Sequence, residues 1–141
     1  MRPVYWPEPG SWLAGLRASC PVPANTPVAL SSPSRTIAGL IRAAEASDAD
    51  WGARTAINLP ALTTTVGGMV DALEKLAGKA TTALIDWTPN EAVANIVGNW
   101  PSVIDAARAR ALGLLPDPDF ESIVAEFMRE NPQPKVMPVE Q

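Results

Sequence analysis

Few residues in this sequence could act as nucleophiles or general bases. The chain has one cysteine, Cys20, one tyrosine, Tyr5, and no histidine. A serine or cysteine nucleophile generally needs a neighbouring base. The absence of histidine therefore excludes the usual triads and leaves only a Ser–Lys arrangement, which no spacing supports. Cys20 is better explained as a small buried apolar residue than as a reactive thiol.

A phosphate-binding loop needs closely spaced glycines between a strand and a helix, so that backbone N–H groups can reach the phosphate. None of the nine glycines has that spacing. Gly67 and Gly68 lie in the first turn of a predicted helix, where a bound anion is conceivable. Close packing of that helix on a neighbour explains them better. The residues alone predict no cofactor in this chain.

Two pairs of acidic residues could bind a cation, Asp48 with Asp50 and Asp117 with Asp119. Both pairs lie at predicted helix ends or turns, where acids commonly cap helices, so capping is the preferred explanation. With one cysteine and no histidine, the chain also lacks the usual ligands for zinc. We therefore predict no metal site.

The tryptophans could line a ligand groove, but packing in a core or an interface explains most of them better. They are Trp6, Trp12, Trp51, Trp87 and Trp100.

Composition and charge exclude several classes of function. The formal net charge is −4, and the eleven basic residues are spread along the chain, which argues against nucleic-acid binding. No apolar run approaches the roughly 20 residues of a membrane span, and the first residues lack the pattern of a secretory signal. We expect no membrane association and a cytoplasmic location.

The 141 residues fit one domain, which we place at residues 1–130, followed by a disordered tail at 131–141 that contains three prolines. Residues 1–30 are rich in proline and predict extended segments, with one short helix around residues 12–17. Three later helices are predicted to start at a capping residue followed by proline: Ser32–Pro33, Thr88–Pro89, with Glu91 completing a capping box, and Asp117–Pro118.

Two more helix starts are predicted, at Thr64, with Gly78 as the stop of that helix, and at Ser102, with Gly113 as the stop. Strands are predicted at residues 55–59, ended by Pro60, and at 81–87. Together these elements predict an α/β domain that is predominantly helical, with two or three short strands.

Apolar residues that recur at three- and four-residue steps give each predicted helix an inward face. On the first helix, Arg35, Arg42 and Glu45 are then expected to point toward water. The inward residues are Ile37, Leu40, Ile41 and Ala44; Val66, Met69, Val70, Leu73, Leu76 and Ala77; Val93, Ile96, Val97 and Trp100; Val103, Ile104 and Ala107; and Phe120, Ile123, Val124, Phe127 and Met128.

The order of three segments resembles a known family. They read "CPVPANTPVALSSPSRTIAGLIRAAE", "GARTAINLPALTTTVGGMVDALEKLAG" and "IVGNWPSVIDAARARALGLLPDPDFESIVAEF". They are similar to the C-terminal, substrate-binding half of extended short-chain dehydrogenases, and most of all to the NAD-dependent epimerase/dehydratase group that contains D-erythronate dehydrogenase-like proteins. The matching positions are Asn58, Leu59, Pro60 and Leu62, then Thr65 and Val66, then Trp100, Pro101, Arg110, Ala111 and Gly113.

The resemblance implies a substrate-binding domain that cannot catalyse hydride transfer as this chain. The family's Rossmann half, with its glycine-rich loop and Tyr-x-x-x-Lys pair, has no counterpart here, and Pro9 stands where a lysine would follow Tyr5. NAD is implied only for a complete family member. The implied ligand is a sugar acid or a nucleotide sugar, with Arg17 and Ser32 as candidate contacts. Arg17 could pair with an anionic group, and Ser32 is equally well explained as a helix cap.

Removal of a Rossmann half would leave apolar surface and a strand edge exposed to water. We therefore expect self-association, or docking onto a chain that supplies the Rossmann half. The alternative is a non-catalytic protein- or ligand-binding domain derived from the same fold.

Overall fold

The computed structural model of the chain describes residues 16–52 and 56–132. The predicted predominantly helical α/β domain is confirmed, and the described residues form four short strands. The strands are β1 (Ala18–Cys20), β2 (Pro27–Leu30), β3 (Leu62–Thr65) and β4 (Ile85–Trp87). The helices are α1 (Pro33–Glu45), α2 (Asp48–Trp51), α3 (Val66–Ala77), α4 (Lys79–Thr82), α5 (Glu91–Gly98), α6 (Ala107–Ala111) and α7 (Phe120–Glu130).

The described strands form two separate pairs. β1 and β4 are parallel, with Ala18 opposite Ile85, and β2 and β3 are antiparallel, with Leu30 opposite Leu62. The strand predicted at 55–59 is wrong for residues 56–59, which form no strand. The strand begins after Pro60 instead, because residues 62–65 have β2 to pair with. The strand predicted at 81–87 is shortened to β4, since α4 takes up residues 79–82.

Only one of the three predicted cap–proline helix starts is confirmed. The Ser32 side chain accepts a hydrogen bond from the Arg35 backbone N–H group, and Pro33 is the first residue of α1. Helices α5 and α7 each begin two residues later than predicted, with Asn90 and Asp119 as their caps. In both cases a polar side chain just after the proline is placed to accept from the first helical turn, so the helix starts there.

Helix α3 shows why its first turn contains two glycines. Thr65, rather than the predicted Thr64, caps the helix and accepts a hydrogen bond from the Gly68 N–H group at 3.0 Å. The Gly67 N–H group donates to the Ala24 carbonyl at 2.7 Å, and a Cβ on Gly67 would lie 3.0 Å from that oxygen. The packing explanation is confirmed for Gly67. Gly78 ends the helix at a φ of 82°, as predicted.

Helix α1 forms where predicted but faces the other way. The residues predicted to point inward are mostly in water, with Ile37 56%, Leu40 62% and Ile41 54% exposed. The buried residue of this helix is Gly39, and a Cβ there would lie 2.8 Å from Leu59 Cδ2. Because glycine lets the helix approach Leu59 closely, α1 packs through its small residues and leaves its apolar stripe outside.

The inward faces predicted after residue 90 are only partly right. Val97 is buried, but Ile96 and Trp100 are more than 60% exposed and Val103 is 79% exposed. The helix predicted from Ser102 is reduced to α6, because residues 101–106 are irregular. In α7, Val124 is buried, as predicted.

Two clusters of buried apolar residues hold the described part together. The first gathers around α6, and half-buried Ile57 and Leu59 pack against it. Its buried members are Ala106, Ala109, Leu112 and Leu114. The second joins α3, β4 and α7 through Leu73, Ile85 and Val124. Half-buried Cys20 packs against this second cluster, which fits the packing explanation of its thiol.

Some predictions fall on residues outside the described ranges. They concern Trp6 and Trp12, most of the short helix predicted at 12–17, and most of the tail at 131–141. Residues 16 and 17 are described, and they are not helical. Among the described helices, none has the length and apolarity that a membrane span needs.

Candidate functional site

Arg17 lies just before β1 and binds a carboxylate on the neighbouring strand. Its Nε donates to Asp86 Oδ2 at 2.9 Å, and its Nη2 forms an ion pair with Asp86 Oδ1. The hydrogen bond from Arg17 lowers the pKa of Asp86, and the same contact raises the pKa of Arg17. The two side chains are 64% and 44% exposed. Asp86 therefore holds the guanidinium that was predicted to meet an anionic ligand, and the ligand contact itself stays a prediction.

Ser32 is buried at the start of α1, with 1% of its surface exposed. Its hydroxyl accepts a hydrogen bond from the Arg35 N–H group at 3.1 Å, and its own N–H group donates to Asp117 Oδ2 at 2.8 Å. Asp117 is 5% exposed. The helix-cap explanation of Ser32 is confirmed, while its contact with a substrate stays a prediction.

The structure places the two predicted contacts beside different sheets. Arg17 borders the β1–β4 pair, whereas Ser32 follows β2 of the other pair. No hydrogen bond among the described residues joins Arg17 or Asp86 to Ser32 or Asp117. Sequence reasoning missed Asp86 as the partner of Arg17 and Asp117 as the partner of Ser32. These pairs are 69 and 85 residues apart in the sequence, and such distances leave no local signal.

A polar patch surrounds Arg17 on the β1–β4 pair. The hydroxyls of Ser19 and Thr88 are hydrogen bonded to each other, and the Thr88 N–H group donates to the Cys20 carbonyl at 3.0 Å. With Arg17 and Asp86, the two hydroxyls form what we call the β1–β4 patch. A guanidinium, a carboxylate and two hydroxyls can together bind a molecule that carries hydroxyl groups and a negative charge.

A small depression lies along the inner side of α1. Its volume is about 70 Å³, well below the roughly 300–1,000 Å³ of ordinary small-molecule pockets. Arg35 and Arg42, two helical turns apart, both line it. Arg42 does not point freely to water as predicted, because it is half-buried and its Nε donates to the Leu112 carbonyl at 3.0 Å. The depression is too small to hold a sugar acid.

Three side chains join residues 56–63 to residues 102–108. Asn58 Nδ2 donates to the Asp105 carbonyl at 3.1 Å, and Thr63 Oγ1 donates to the Ser102 carbonyl at 2.8 Å. Arg108 donates to the Ala56 carbonyl at 3.0 Å. These bonds hold the two stretches together, and the carbonyls of Ser102 and Asp105 accept side-chain hydrogen bonds instead of the bonds of the predicted helix.

Three of the four paired acids accept hydrogen bonds from backbone N–H groups: Asp50, Asp117 and Asp119. Asp50 accepts from the Ser47 N–H group at 3.0 Å in a capping box, and Asp119 accepts from the Ser122 N–H group at 2.7 Å. The Ser47 N–H group and hydroxyl lower the pKa of Asp50, and the Ser122 hydroxyl, followed by the Ser122 N–H group, lowers the pKa of Asp119. Among residues 16–52 and 56–132, no group of three or more potential ligands could hold a metal ion.

The described residues do not fit a nicotinamide cofactor. The N–H groups of Gly67 and Gly68 in the first turn of α3 already donate within the chain, to the Ala24 carbonyl and the Thr65 side chain. They are therefore not available to a phosphate. The parallel pair formed by β1 and β4 is too small to build the open sheet at which dinucleotides bind.

Comparison with known proteins gives two related sequences. The chain is 38% identical over 118 residues to a D-erythronate dehydrogenase of Cupriavidus necator, and this match covers 84% of the chain and 36% of that protein. It is 34% identical over 116 residues to a D-erythronate dehydrogenase of Haemophilus influenzae, covering 82% of the chain and 37% of that protein. The chain thus spans just over a third of the length of these relatives. No protein-family model matches it.

Solved structures show the same fold. A nucleoside-diphosphate-sugar epimerase from Agrobacterium tumefaciens is 30% identical and superposes with a TM-score of 0.82, over 92% of this chain and 40% of that one. An L-threonine 3-dehydrogenase from Trypanosoma brucei, at 20% identity and a TM-score of 0.74, matches 86% of this chain and 37% of that one. This second likeness concerns the fold alone.

The fold and these comparisons confirm the predicted resemblance. The chain is related to dehydrogenases and epimerases of the extended short-chain type and matches 36–40% of the length of the two D-erythronate dehydrogenases and the nucleoside-diphosphate-sugar epimerase. Within that group it is similar to the D-erythronate dehydrogenases.

Proposed function

We propose that the chain is the substrate-binding domain of an NAD-dependent dehydrogenase or epimerase that acts on a sugar acid or a nucleotide sugar. The observation that carries the proposal is the 38% identity to a D-erythronate dehydrogenase over 84% of this chain. The relatives' names favour a sugar acid. NAD would be held by the other half of a complete protein, which we place in the cytoplasm.

In this proposal the chain binds and orients the substrate but does not catalyse alone. The β1–β4 patch is the place where its own residues could hold a hydroxylated anion. An incoming carboxylate would compete with Asp86 for the Arg17 guanidinium, while Ser19 and Thr88 could bind the substrate hydroxyls. Ser32 would be the second contact to the substrate in addition to capping α1.

The proposal is tested with the purified 141-residue chain and with the same chain joined to the part of the Cupriavidus necator enzyme that it does not match. We expect no reduction of NAD with D-erythronate by the chain alone and measurable reduction by the joined protein. Substitution Arg17→Gln in the joined protein should raise KM more than it lowers kcat, because the contact is to bound substrate. Turnover by the chain alone would refute the proposal, and so would a joined protein that binds NAD but is inactive on every sugar acid and nucleotide sugar tested.

The alternative, a non-catalytic protein- or ligand-binding domain, is favoured by one observation. Both predicted substrate contacts already have partners within the chain, Arg17 on Asp86 and Ser32 on the first turn of α1. Calorimetric titration of the chain with D-erythronate separates the two proposals. Binding that Arg17→Gln abolishes supports a substrate domain, whereas a protein complex without any affinity for sugar acids supports the alternative.

A further inference from the structure

The outer side of helix α1 carries an apolar stripe that no described residue covers. Ile37, Leu40 and Ile41 lie at steps of three and four residues, on one side of the helix, and each is more than half exposed. Single exposed apolar residues are ordinary on protein surfaces. Three adjacent large side chains on one helix face form a continuous patch, which typically marks an interaction surface.

The orientation of α1 is fixed by contacts on its other sides. Gly39 packs against Leu59 and Leu114, and Arg42 donates to the Leu112 carbonyl. The Ser34 hydroxyl donates to Glu126 Oε1 at 2.5 Å, which ties the start of α1 to α7. The helix therefore cannot turn its stripe inward without losing these contacts, so the exposure of the stripe is built into the packing.

A second observation comes from residues 56–59. Their burial alternates as in a strand with one buried face: Ile57 and Leu59 are half-buried on the first core cluster, while Ala56 and Asn58 are exposed. Yet no described backbone carbonyl accepts a hydrogen bond from the N–H groups of residues 57–59. The segment is packed like a strand but lacks a neighbouring strand.

We propose that the α1 stripe and residues 56–59 form the docking surface for a coenzyme-binding α/β half. This inference rests on the proposed function. The occupant would bring an apolar surface to Ile37, Leu40 and Ile41 and the edge of a sheet to residues 56–59, a mode of recognition in which main-chain hydrogen bonds extend a sheet.

The size of the relatives supports this occupant. The Agrobacterium tumefaciens epimerase matches 92% of this chain, which includes most of its helices, yet the match accounts for only 40% of that protein. A surface that the remaining 60% would cover in a complete protein must be exposed in the chain alone. An apolar helix face and an unpaired strand-like segment are the two features expected of such a surface.

The test measures the accessibility of single cysteines in a chain that carries Cys20→Ala. Ile41→Cys reports on the stripe, and Lys79→Cys, at an exposed position in α4, is the matched control. Each variant is labelled with a maleimide as the free chain and as the joined protein described above. We expect labelling of Ile41→Cys to be at least about tenfold slower in the joined protein and labelling of Lys79→Cys to be unchanged. Hydrogen exchange of the amides of residues 57–59 should slow in parallel.

The outcomes separate this inference from the proposed function. A joined protein that binds NAD and turns over D-erythronate, but still labels rapidly at Ile41→Cys, would refute the docking surface alone. Halves that fail to assemble, as judged by NAD binding and turnover, would refute both proposals. If labelling at Ile41→Cys instead slows with rising concentration of the free chain, the occupant is a second copy and the proposed partner is wrong.

Discussion

Asp117 is a buried carboxylate that joins two distant parts of the chain. Its Oδ2 accepts the Ser32 N–H group at 2.8 Å across 85 residues of sequence, at the point where α1 begins. Both residues are at most 5% exposed. A buried N–H group without an acceptor is costly, so this single contact should contribute more to stability than the exposed caps do.

We therefore expect Asp117→Ala to lower the free energy of unfolding by about 1–3 kcal/mol, because it leaves the Ser32 N–H group buried and unpaired. Asp117→Asn keeps an oxygen acceptor and should lose less. Asp119→Ala, which removes only the cap of α7, is the control at about 1 kcal/mol. Urea unfolding followed by circular dichroism measures all three. Equal losses for Asp117→Ala and Asp117→Asn would contradict this role.

The Arg17–Asp86 pair predicts a dependence of stability on pH. The hydrogen bond from Arg17 lowers the pKa of Asp86 in the folded state. The pair therefore stabilises the fold fully above the ordinary aspartate pKa of about 3.9, and this contribution is lost as the pH falls through the lowered value. Because both groups are exposed, the contribution is small.

The measurement compares wild type with Asp86→Asn in urea unfolding from pH 7 to pH 2. The difference in free energy should be constant down to about pH 5 and shrink toward zero at lower pH. The same comparison in an Arg17→Gln background should show no such change, since the partner that lowers the pKa is absent. A pH-dependent difference that survives Arg17→Gln would assign the effect to another group.

At the level of the helices and strands, two glycines in helices make opposite predictions. A Cβ on Gly67 would lie 3.0 Å from the Ala24 backbone oxygen, which cannot move aside easily, whereas a Cβ on Gly98 would meet nothing within 4 Å. We expect Gly67→Ala to destabilise the chain by about 1–2 kcal/mol despite the better helix propensity of alanine. Gly98→Ala should be neutral or stabilising by up to about 1 kcal/mol.

Thermal unfolding of the two variants checks this pair. The order of the two unfolding free energies is the informative result, because both substitutions make the same chemical change in a helix. If Gly67→Ala were as stable as Gly98→Ala, then α3 would have to be able to move away from residue 24. The close packing that explains Gly67 would then be wrong.

Local sequence signals predicted helix features that depend on contacts close in the sequence, and failed where the contact is with a residue far away in the sequence. Ser32 caps α1 because its hydroxyl reaches the N–H group three residues on, which a local motif reveals. The start of α5 moved from Thr88 to Asn90, since two capping residues on either side of Pro89 offer nearly equivalent motifs. The outward turn of α1 depends on Gly39 meeting Leu59, a contact that no periodicity discloses.

The candidate site was predictable to a similar extent. Arg17 and Ser32 came from a family resemblance, but their partners Asp86 and Asp117 depend on the parallel pairing of β1 with β4 and on the fold around α1. Sequence alone gives neither the register of a parallel pair nor the approach of two segments 85 residues apart. The predicted strand at 55–59 failed for a related reason, because a strand needs a neighbour and the described residues supply none.

On the scale of the whole molecule, the described part of the chain has two small buried clusters and many exposed apolar side chains. Ile96, Trp100 and Val103 are each more than 60% exposed, in addition to the α1 stripe. A chain that corresponds to about 40% of its structural relative would have this distribution if much of its surface were meant to meet the rest of a larger protein. Stability measured on the chain alone should then misrepresent the cost of changes on that surface.

The α1 stripe gives the direct test of this idea. In the chain alone, Ile41 is 54% exposed, and Ile41→Gln should change the free energy of unfolding by no more than about 0.5 kcal/mol. In the joined protein the same side chain would be buried, so Ile41→Gln should cost about 1–3 kcal/mol. Leu73→Ala, in the second core cluster, should cost about 2–5 kcal/mol in both proteins and serves as the control. Urea unfolding of the six proteins provides the comparison. An Ile41→Gln cost that is equal in the two backgrounds, beside an unchanged Leu73→Ala cost, would mean that the stripe stays in water and that α1 is not part of the interface.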